Sequence, residues 1–198
     1  MFKRGLILVW DLDQTLIGWS ADSQTYTINS MAVEILSIAF QYHIDFSSIG
    51  AIRKIIVLTN NSEPWMPVKE IETLVGHKFD YVIERGNTFR DTQNPLIKDM
   101  DTVRRIVGYN AHPNDVWIMD DIKHKMVDEG ANWIKIEPQS DNPFDSGFFQ
   151  NPDETDYVPL LNAIHKQGQH LLKTRRNKRK TRRSKRKVRK FDSRIQFL

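Results

Sequence analysis

Five short apolar runs, several of them rich in β-branched residues, limit the folds open to this chain of 198 residues. Each run is about as long as a strand that is buried on both faces of a parallel sheet. The runs are Leu6–Trp10, Ile55–Leu58, Tyr81–Ile83, Val116–Met119 and Trp133–Ile136. Because strands that alternate with helices form a parallel sheet covered on both faces, the sequence predicts a three-layer, Rossmann-like α/β fold with a mostly parallel central sheet.

The segments between these runs have apolar residues at helical spacing. Residues 30–43 begin with Ser30, a residue type that caps helices, and place an apolar stripe on one face. The other predicted helices cover residues 67–75, 99–107, 122–129 and 157–172. Residues 138–156 are rich in Pro, Asp, Asn and Gly, which predicts a surface loop.

Charge is distributed unevenly along the chain. The net charge is +4, but residues 173–190 contain 13 Lys and Arg and no acid, whereas residues 1–172 carry a net charge of −9. Like charges at this density repel each other and keep a free segment disordered. We therefore predict one folded domain over residues 1–172 and a basic, disordered tail over residues 173–198.

Composition excludes several classes of protein. The chain has no cysteine, so it has neither disulfides nor a thiolate nucleophile, and a reducing intracellular compartment is expected. No apolar run approaches the roughly 20 residues that cross a membrane, so no membrane association is expected. The basic run 173–190 could serve as a nuclear address, which favours the nucleus over the cytoplasm. Nothing in the sequence indicates an oligomeric state.

Acidic and polar side chains follow three of the predicted strands. Asp11 and Asp13 follow the first strand, residues 59–61 (TNN) follow the second, and Asp120 and Asp121 follow the fourth. In an open parallel sheet, ligands bind beyond the carboxyl ends of the strands. We therefore expect these side chains to meet at one edge of the sheet.

Such a cluster of carboxylates is unfavourable unless a cation neutralises it. Oxygen ligands without His or Cys favour a hard ion, and Mg²⁺ is usual where phosphate is also bound. One carboxylate can then attack phosphorus and form an aspartyl-phosphate, while a second protonates the leaving oxygen and later activates water. Taken singly, these acidic and polar motifs are also typical of loops, helix caps and turns. A single lysine such as Lys98, which precedes the fourth strand, is typical of a solvated surface. The prediction therefore depends on the joint occurrence of these residues.

The segments VWDLDQTL, IIVLTNN, IKDM and VWIMDD resemble the four motifs of the haloacid dehalogenase (HAD) superfamily of phosphatases, and they span residues 9–121. DLDQTL, and the pairing of IKDM with VWIMDD, are most similar to the RNA polymerase II C-terminal-domain phosphatases and their NLI-interacting-factor-like relatives. The resemblance implies a phosphoric monoester hydrolase that depends on Mg²⁺.

The resemblance also implies a role for each matching residue in the chemistry. Asp11 is the nucleophile, and Asp13 is the general acid and base. Thr59 and Asn60 bind the phosphoryl group. Lys98 neutralises charge on Asp11 and on the transferring phosphoryl group, which is the kind of electrostatic stabilisation that usually dominates phosphoryl transfer.

The implied metal site contains Asp11, the backbone carbonyl of Asp13, and Asp120, with Asp121 supporting it directly or through water. Thr15 is expected to orient the loop after the first motif. Two positions depart from the polymerase-tail phosphatases. Gln14 stands where they usually have Glu, and Asp121 stands where they usually have Asn.

The short connections leave no room for a large cap domain. About 15 residues separate Thr15 from the helix predicted at Ser30, and 38 residues lie between Thr59 and Lys98. An open site favours a macromolecular substrate, and we expect a phosphoprotein carrying phosphorylated Ser or Thr. The alternatives are a polynucleotide 3′-phosphatase and a non-catalytic nucleic-acid-binding protein, because the basic run 173–190 could bind polyanions.

Two tryptophans, Trp19 and Trp65, are predicted on loops at the mouth of the site. They could form the walls of a substrate cleft or stack on a base, or they could be packing residues. No histidine is assigned a role, and the helix predicted over residues 122–129 could turn His124 to solvent.

Overall fold

The computed structural model describes residues 5–20, 25–45, 51–84, 97–136, 157–170 and 173. Its strands are β1 (Leu6–Trp10), β2 (Ile17–Ser20), β3 (Thr25–Ile28), β4 (Ile52–Leu58), β5 (Tyr81–Ile83), β6 (Val116–Asp120) and β7 (Asn132–Lys135). Its helices are α1 (Ser30–Asp45), α2 (Trp65–Val75), α3 (Met100–Val107), α4 (Lys125–Asp128) and α5 (residues 158–170). A 3₁₀ turn, Pro113–Asp115, precedes β6.

Within the described part of the chain, five strands form one sheet in the order β5-β4-β1-β6-β7. Every neighbouring pair in this sheet is parallel. The first strand lies at the centre, where Ile7 pairs with Lys54 of β4 and with Val116 of β6. The predicted α/β fold with a central parallel sheet is therefore confirmed.

Side-chain alternation along β1 builds the core on both faces of the sheet. Leu6, Leu8 and Trp10 join a buried cluster with α1, α2 and α5, whereas Ile7 and Val9 join a second cluster with α3 and α4. All five residues of β1 are buried, because a helical layer covers each face. Since β1 is fixed from both sides, the residues that follow it are held at a defined place.

The chain between β1 and α1 contains an antiparallel hairpin of β2 and β3, which was not among the predicted elements. Residues 25–28 alternate between exposed Thr and half-buried Tyr or Ile, which is a strand pattern, but only four residues carry it. The hydroxyl of Tyr26 donates to Glu70 Oε2 at 2.6 Å and so links the hairpin to α2. The described residues contain no large inserted domain, as expected.

Several element boundaries differ from the predicted ones. Helix α1 is capped by Asn29 rather than Ser30, because the side-chain oxygen of Asn29 accepts from the backbone N–H of Ala32 at 3.0 Å. The helix predicted over residues 122–129 is reduced to Lys125–Asp128. Residues before it form a turn in which the N–H of Ile122 donates to Asp120 Oδ1. Strand β4 begins at Ile52, three residues before the predicted start.

Two predictions fall outside the described residues. These are the surface loop over residues 138–156 and the disordered tail over residues 173–198, of which only Lys173 is described, as helical. Among the residues that the structure does describe, no helix combines the length and the apolar character needed to cross a membrane.

Candidate active site

The polypeptide turns sharply after β1, and this turn presents Asp11 and Asp13. The N–H of Asp11 still donates to Met119 O in β6 at 3.0 Å, so Asp11 is held as an extension of the strand. The N–H groups of Leu16 and Ile17 both donate to Leu12 O at 2.9 Å and close the turn. Gln14 adopts φ 61° within it, which is unusual for a residue with a side chain.

Asn29 stabilises this turn through hydrogen bonds to the backbone of Thr15 and Leu16. The Thr15 side chain is buried, and its backbone carbonyl accepts from Asn29 Nδ2 at 2.9 Å. The backbone N–H of Asn29 also donates to Leu16 O at 2.9 Å. Because Asn29 caps α1 at the same time, the first helix and the loop after β1 are held by one residue.

Lys98 is the cation at the centre of the site. Its ammonium lies 2.8 Å from Asp11 Oδ1 and 2.6 Å from Asp120 Oδ2, and its side chain is only 2% exposed. Burial by itself lowers the pKa of Lys98, but the charges of Asp11 and Asp120 outweigh burial and raise it. The residue is therefore a fixed positive charge between two carboxylates from neighbouring strands.

Both oxygens of Asp120 accept hydrogen bonds. Oδ2 faces Lys98 and also His124 Nε2 at 3.0 Å, while Oδ1 accepts from the N–H of Ile122 at 3.0 Å. Burial raises the pKa of Asp120, but the hydrogen bond from His124 and the charge of Lys98 lower it below its ordinary value. The indole N–H of Trp133 donates to the backbone carbonyl of Asp120 at 3.0 Å.

The contact of His124 was not predicted from the sequence. His124 occupies the N-cap position of α4 but makes no side-chain capping bond, and its ring lies against Asp120 instead. The shortening of α4 is the reason, because residues 121–124 form a turn back toward the strand end. The sequence offered no signal for this contact, because the predicted helix over residues 122–129 contained His124, and only the observed start at Lys125 puts it at the cap.

Asp11, Asp120 and Asp121 each place a carboxylate oxygen within 4.8 Å of the others. Burial, followed by the charge of Asp120, raises the pKa of Asp121 to about 6. Burial also raises the pKa of Asp11 to about 7, against the opposing charge of Lys98. When all three are ionised, Lys98 offsets only one negative charge. An oxygen-only donor set with excess negative charge suits a hard divalent cation such as Mg²⁺.

Asp13 stands apart from this group of three carboxylates. Its Oδ1 accepts from Asn61 Nδ2 at 3.0 Å. Partial burial raises the pKa of Asp13, although hydrogen bonds from Asn61 and Thr59 and the charge of Lys98 work in the opposite direction. The two acids of the DLD segment thus have different surroundings: Asp11 faces Lys98, and Asp13 faces the turn after β4.

That turn contains Thr59, Asn60 and Asn61. Thr59 is buried, its N–H donates to Ile83 O at 3.0 Å, and its Oγ1 accepts from the N–H of Asn61 at 3.0 Å. The side chain that reaches Asp13 belongs to Asn61, which was expected at this edge of the sheet with Thr59 and Asn60 but was assigned no role. A phosphate-binding role for Thr59 and Asn60 stays a prediction, as do the roles of the other site residues.

The rim of the site has exposed apolar side chains. Trp65 is 54% exposed at the start of α2, and Ile97 and Ile122, which directly precede Lys98 and follow Asp121, are also exposed. A groove of about 800 Å³ begins at Trp65 and follows one face of α2 toward β5. It is lined by Trp65, Val68, Lys69, Glu72, Thr73, Gly76, His77, Lys78 and Val82. The side chain of Trp19 lies outside the described residues.

Comparison with known proteins places the chain in a family. The model of the NLI interacting factor-like phosphatases matches residues 6–171. No curated protein matches the chain. A crystal structure of an uncharacterized protein from Listeria monocytogenes serotype 4b is similar at 14% identity and a TM-score of 0.48, covering 81% of this chain and 99% of the other. A likeness this distant supports no argument.

Proposed function

The chain belongs to the NLI interacting factor-like phosphatase family, which implies phosphatase activity, and we propose that it hydrolyses phosphomonoesters through a phosphorylated Asp11. The observation that carries the proposal is the buried triangle of Asp11, Lys98 and Asp120, in which one ammonium lies 2.8 and 2.6 Å from two carboxylates. Such an arrangement holds a carboxylate nucleophile beside a fixed positive charge at the edge of the sheet where ligands bind.

The chemistry divides into two steps. A carboxylate oxygen of Asp11 attacks phosphorus, the bond from phosphorus to the ester oxygen breaks, and Asp13 gives that oxygen a proton. Asp13 then takes a proton from water, the water oxygen attacks phosphorus, and the bond to Asp11 breaks to release inorganic phosphate. The Lys98 ammonium stabilises the negative charge of Asp11 and of the phosphoryl oxygens in both steps.

Asp11, Asp120 and Asp121 would hold Mg²⁺, together with the backbone carbonyl of Asp13. When bound, the ion would add positive charge next to the phosphoryl group, where negative charge develops. His124 and the N–H of Ile122 hold the Asp120 carboxylate from the protein side.

We propose a phosphoprotein as the substrate. The exposed rim side chains and the groove along α2 support a macromolecular ligand, since α2, which lines the groove, follows the turn that carries Thr59 in the sequence. Lys69 and Lys78 line the groove together with one acid, Glu72, so the lining is net positive although residues 1–172 carry a net charge of −9, and acidic side chains near a phosphorylated residue would be favoured there. The exposed Trp65 offers apolar contact area at the same end.

A second candidate is a polynucleotide 3′-phosphatase, favoured by the basic run over residues 173–190. The same run supports a nuclear location, because clustered Lys and Arg act as import signals. We place this candidate second because the groove along α2 has a single exposed aromatic residue for base stacking among its described lining.

Phosphate release with added Mg²⁺ tests the proposal. We expect hydrolysis of p-nitrophenyl phosphate and of phosphoserine peptides, lost on chelation of the metal and reduced about 10³-fold or more by Asp11→Asn. Asp101→Asn is the matched control, because Asp101 is exposed on α3 and only pairs with Arg104. Activity that survives in Asp11→Asn would contradict the mechanism, and faster release from 3′-phosphorylated oligonucleotides would favour the second candidate.

A further inference from the structure

Asn61 is fixed by three hydrogen bonds on three sides. Its backbone N–H donates to Thr59 Oγ1 at 3.0 Å, its side-chain Oδ1 accepts from the N–H of Glu63 at 2.8 Å, and its Nδ2 donates to Asp13 Oδ1 at 3.0 Å. The first two bonds lie within the turn after β4. The third crosses to the loop after β1, 48 positions away in the sequence.

The direction of the amide follows from these partners. A backbone N–H can only donate, so the atom of Asn61 that faces Glu63 is the carbonyl oxygen. The amide nitrogen is therefore the atom that faces Asp13. An ionised carboxylate can accept hydrogen bonds but cannot donate them. The amide nitrogen of Asn61 is a donor, so its pairing with Asp13 Oδ1 needs no rearrangement.

We propose that Asn61 is a positioning residue for Asp13. Its amide donates to Oδ1, and Thr59 also hydrogen-bonds the carboxylate, so Asn61 helps to fix the orientation in which Asp13 gives a proton to the leaving group and takes one from water. This inference rests on the proposed function, because it assigns an orientation to the general acid and base of that mechanism. Asn61 itself transfers no proton, since an amide neither gives nor takes one readily near neutral pH.

A purely structural role for Asn61 predicts something different. The bonds to Thr59 and Glu63 shape the turn whether or not Asp13 is present, and their loss would weaken hydrolysis of every substrate alike. The bond to Asp13 contributes nothing to the shape of that turn. Its loss leaves Thr59 as the remaining side-chain hydrogen-bond partner reported for Asp13, so the carboxylate is held less firmly, which matters most where the leaving group needs a well-placed proton.

The substrate distinguishes the two roles. p-Nitrophenolate leaves as a stable anion and needs little protonation, whereas the alkoxide of a serine side chain departs only with a proton from the acid. We expect Asn61→Ala and Asn61→Asp to lower kcat/KM for a phosphoserine peptide about 10-fold to 100-fold more than kcat/KM for p-nitrophenyl phosphate. Asn61→Asp keeps the shape and the acceptor for Glu63 but sets a carboxylate against Asp13, so it removes the donor and adds like-charge repulsion, whereas Asn61→Ala removes the donor without adding charge.

Asn132→Ala is the matched control. The amide of Asn132 also donates across elements, to Asn114 O at 3.1 Å and Val116 O at 3.0 Å, but it does so at the opposite end of β6. This variant should leave the ratio of the two kcat/KM values unchanged, even if it lowers stability. Asp13→Asn should shift the ratio in the same direction as the Asn61 variants.

The outcomes separate this inference from the proposed function. A wild-type protein that hydrolyses neither substrate with Mg²⁺ would overturn the proposed function and this inference together. Wild-type hydrolysis of both, with equal losses for both substrates in the Asn61 variants or with no loss at all, would overturn the inference alone. A changed ratio in both Asn61 variants and an unchanged ratio in Asn132→Ala would support it.

Discussion

The four aspartates around Lys98 are chemically alike but differ in their surroundings. Asp120 accepts from three donors, and its pKa is lowered although burial raises it. Burial raises the pKa of Asp11 to about 7 and, together with the charge of Asp120, that of Asp121 to about 6. The same side-chain type therefore ionises readily at Asp120 and less readily at Asp11 and Asp121, because burial and neighbouring charge differ from one position to the next.

The contact between His124 and Asp120 leads to a prediction about metal binding. Because its ring holds Asp120 Oδ2 at 3.0 Å, His124→Ala should weaken Mg²⁺ binding about 10-fold or more, the usual effect of losing a partner of a metal ligand. His124→Gln should retain most of the affinity, since its amide can donate to the same oxygen. Isothermal titration of the metal-free protein with Mg²⁺ measures this directly.

His112 supplies the control for that experiment. It accepts from the N–H of Asn114 before β6, at the end of the strand opposite Asp120. Equal Mg²⁺ affinities for His124→Ala, His112→Ala and the wild type would show that the ring does not support the site.

Sequence patterns were sufficient to predict the positions of the site residues that lie directly at the ends of strands. Asp11 and Asp120 meet because the ends of parallel neighbours share an edge, and their strands are long enough to recognise. The side-chain contacts of Asn61 and His124 were not predicted, because each residue lies in a turn whose backbone path decides where its side chain points. No periodicity specifies that path, so the side-chain directions became visible only in three dimensions.

Helix α3 is stabilised by a side-chain cap at its N-terminus. Asp99 is its N-cap, and its Oδ1 accepts from the N–H of Thr102 at 2.8 Å. Although burial raises the pKa of Asp99, the hydrogen bonds from Thr102 and Lys125 lower it below 3.8. Asp99→Ala should therefore cost about 1 kcal/mol of unfolding free energy at neutral pH.

The pH dependence of that cost follows from the direction of the shift. Because the pKa is lower in the folded protein, the ionised carboxylate stabilises the helix above the unfolded pKa, and this contribution is lost as the pH falls through the folded value. Urea unfolding should show a difference in unfolding free energy between the wild type and Asp99→Ala that is smaller near pH 3 than at pH 7. Asp101→Ala, in the first turn of the same helix but exposed, should cost less.

Elements with strong periodicity were predicted well, and short ones were not. The five strands of the sheet were recognised because each contains a short run of apolar residues, although β4 also contains Arg53 and Lys54, and Lys135 interrupts the predicted run of β7. The hairpin of β2 and β3 was missed because four-residue strands carry too few alternations to stand out. Helix α4 was predicted too long, because Ile122 fits the apolar spacing but is 60% exposed at the rim of the site.

The acidic region 1–172 and the basic run 173–190 carry opposite net charges, which leads to a prediction for the whole chain. Deleting residues 174–198 should leave hydrolysis of p-nitrophenyl phosphate unchanged, because the described site residues all precede them. The deletion should abolish binding to single-stranded RNA, which for the full chain should weaken steeply as salt rises. Fluorescence anisotropy of a labelled oligonucleotide across a salt series measures this, and equal binding by both proteins would contradict it.

The central position of β1 has a consequence for how the protein is made. The strand is wholly apolar, yet about 110 residues separate Ile7 from its partner Val116 in β6. At roughly 5–20 residues per second, a ribosome needs roughly 5–20 s to deliver that partner. During this interval the edge of β1 that pairs with β6 lacks its partner, so we expect nascent chains to be prone to pairing with strands of other chains.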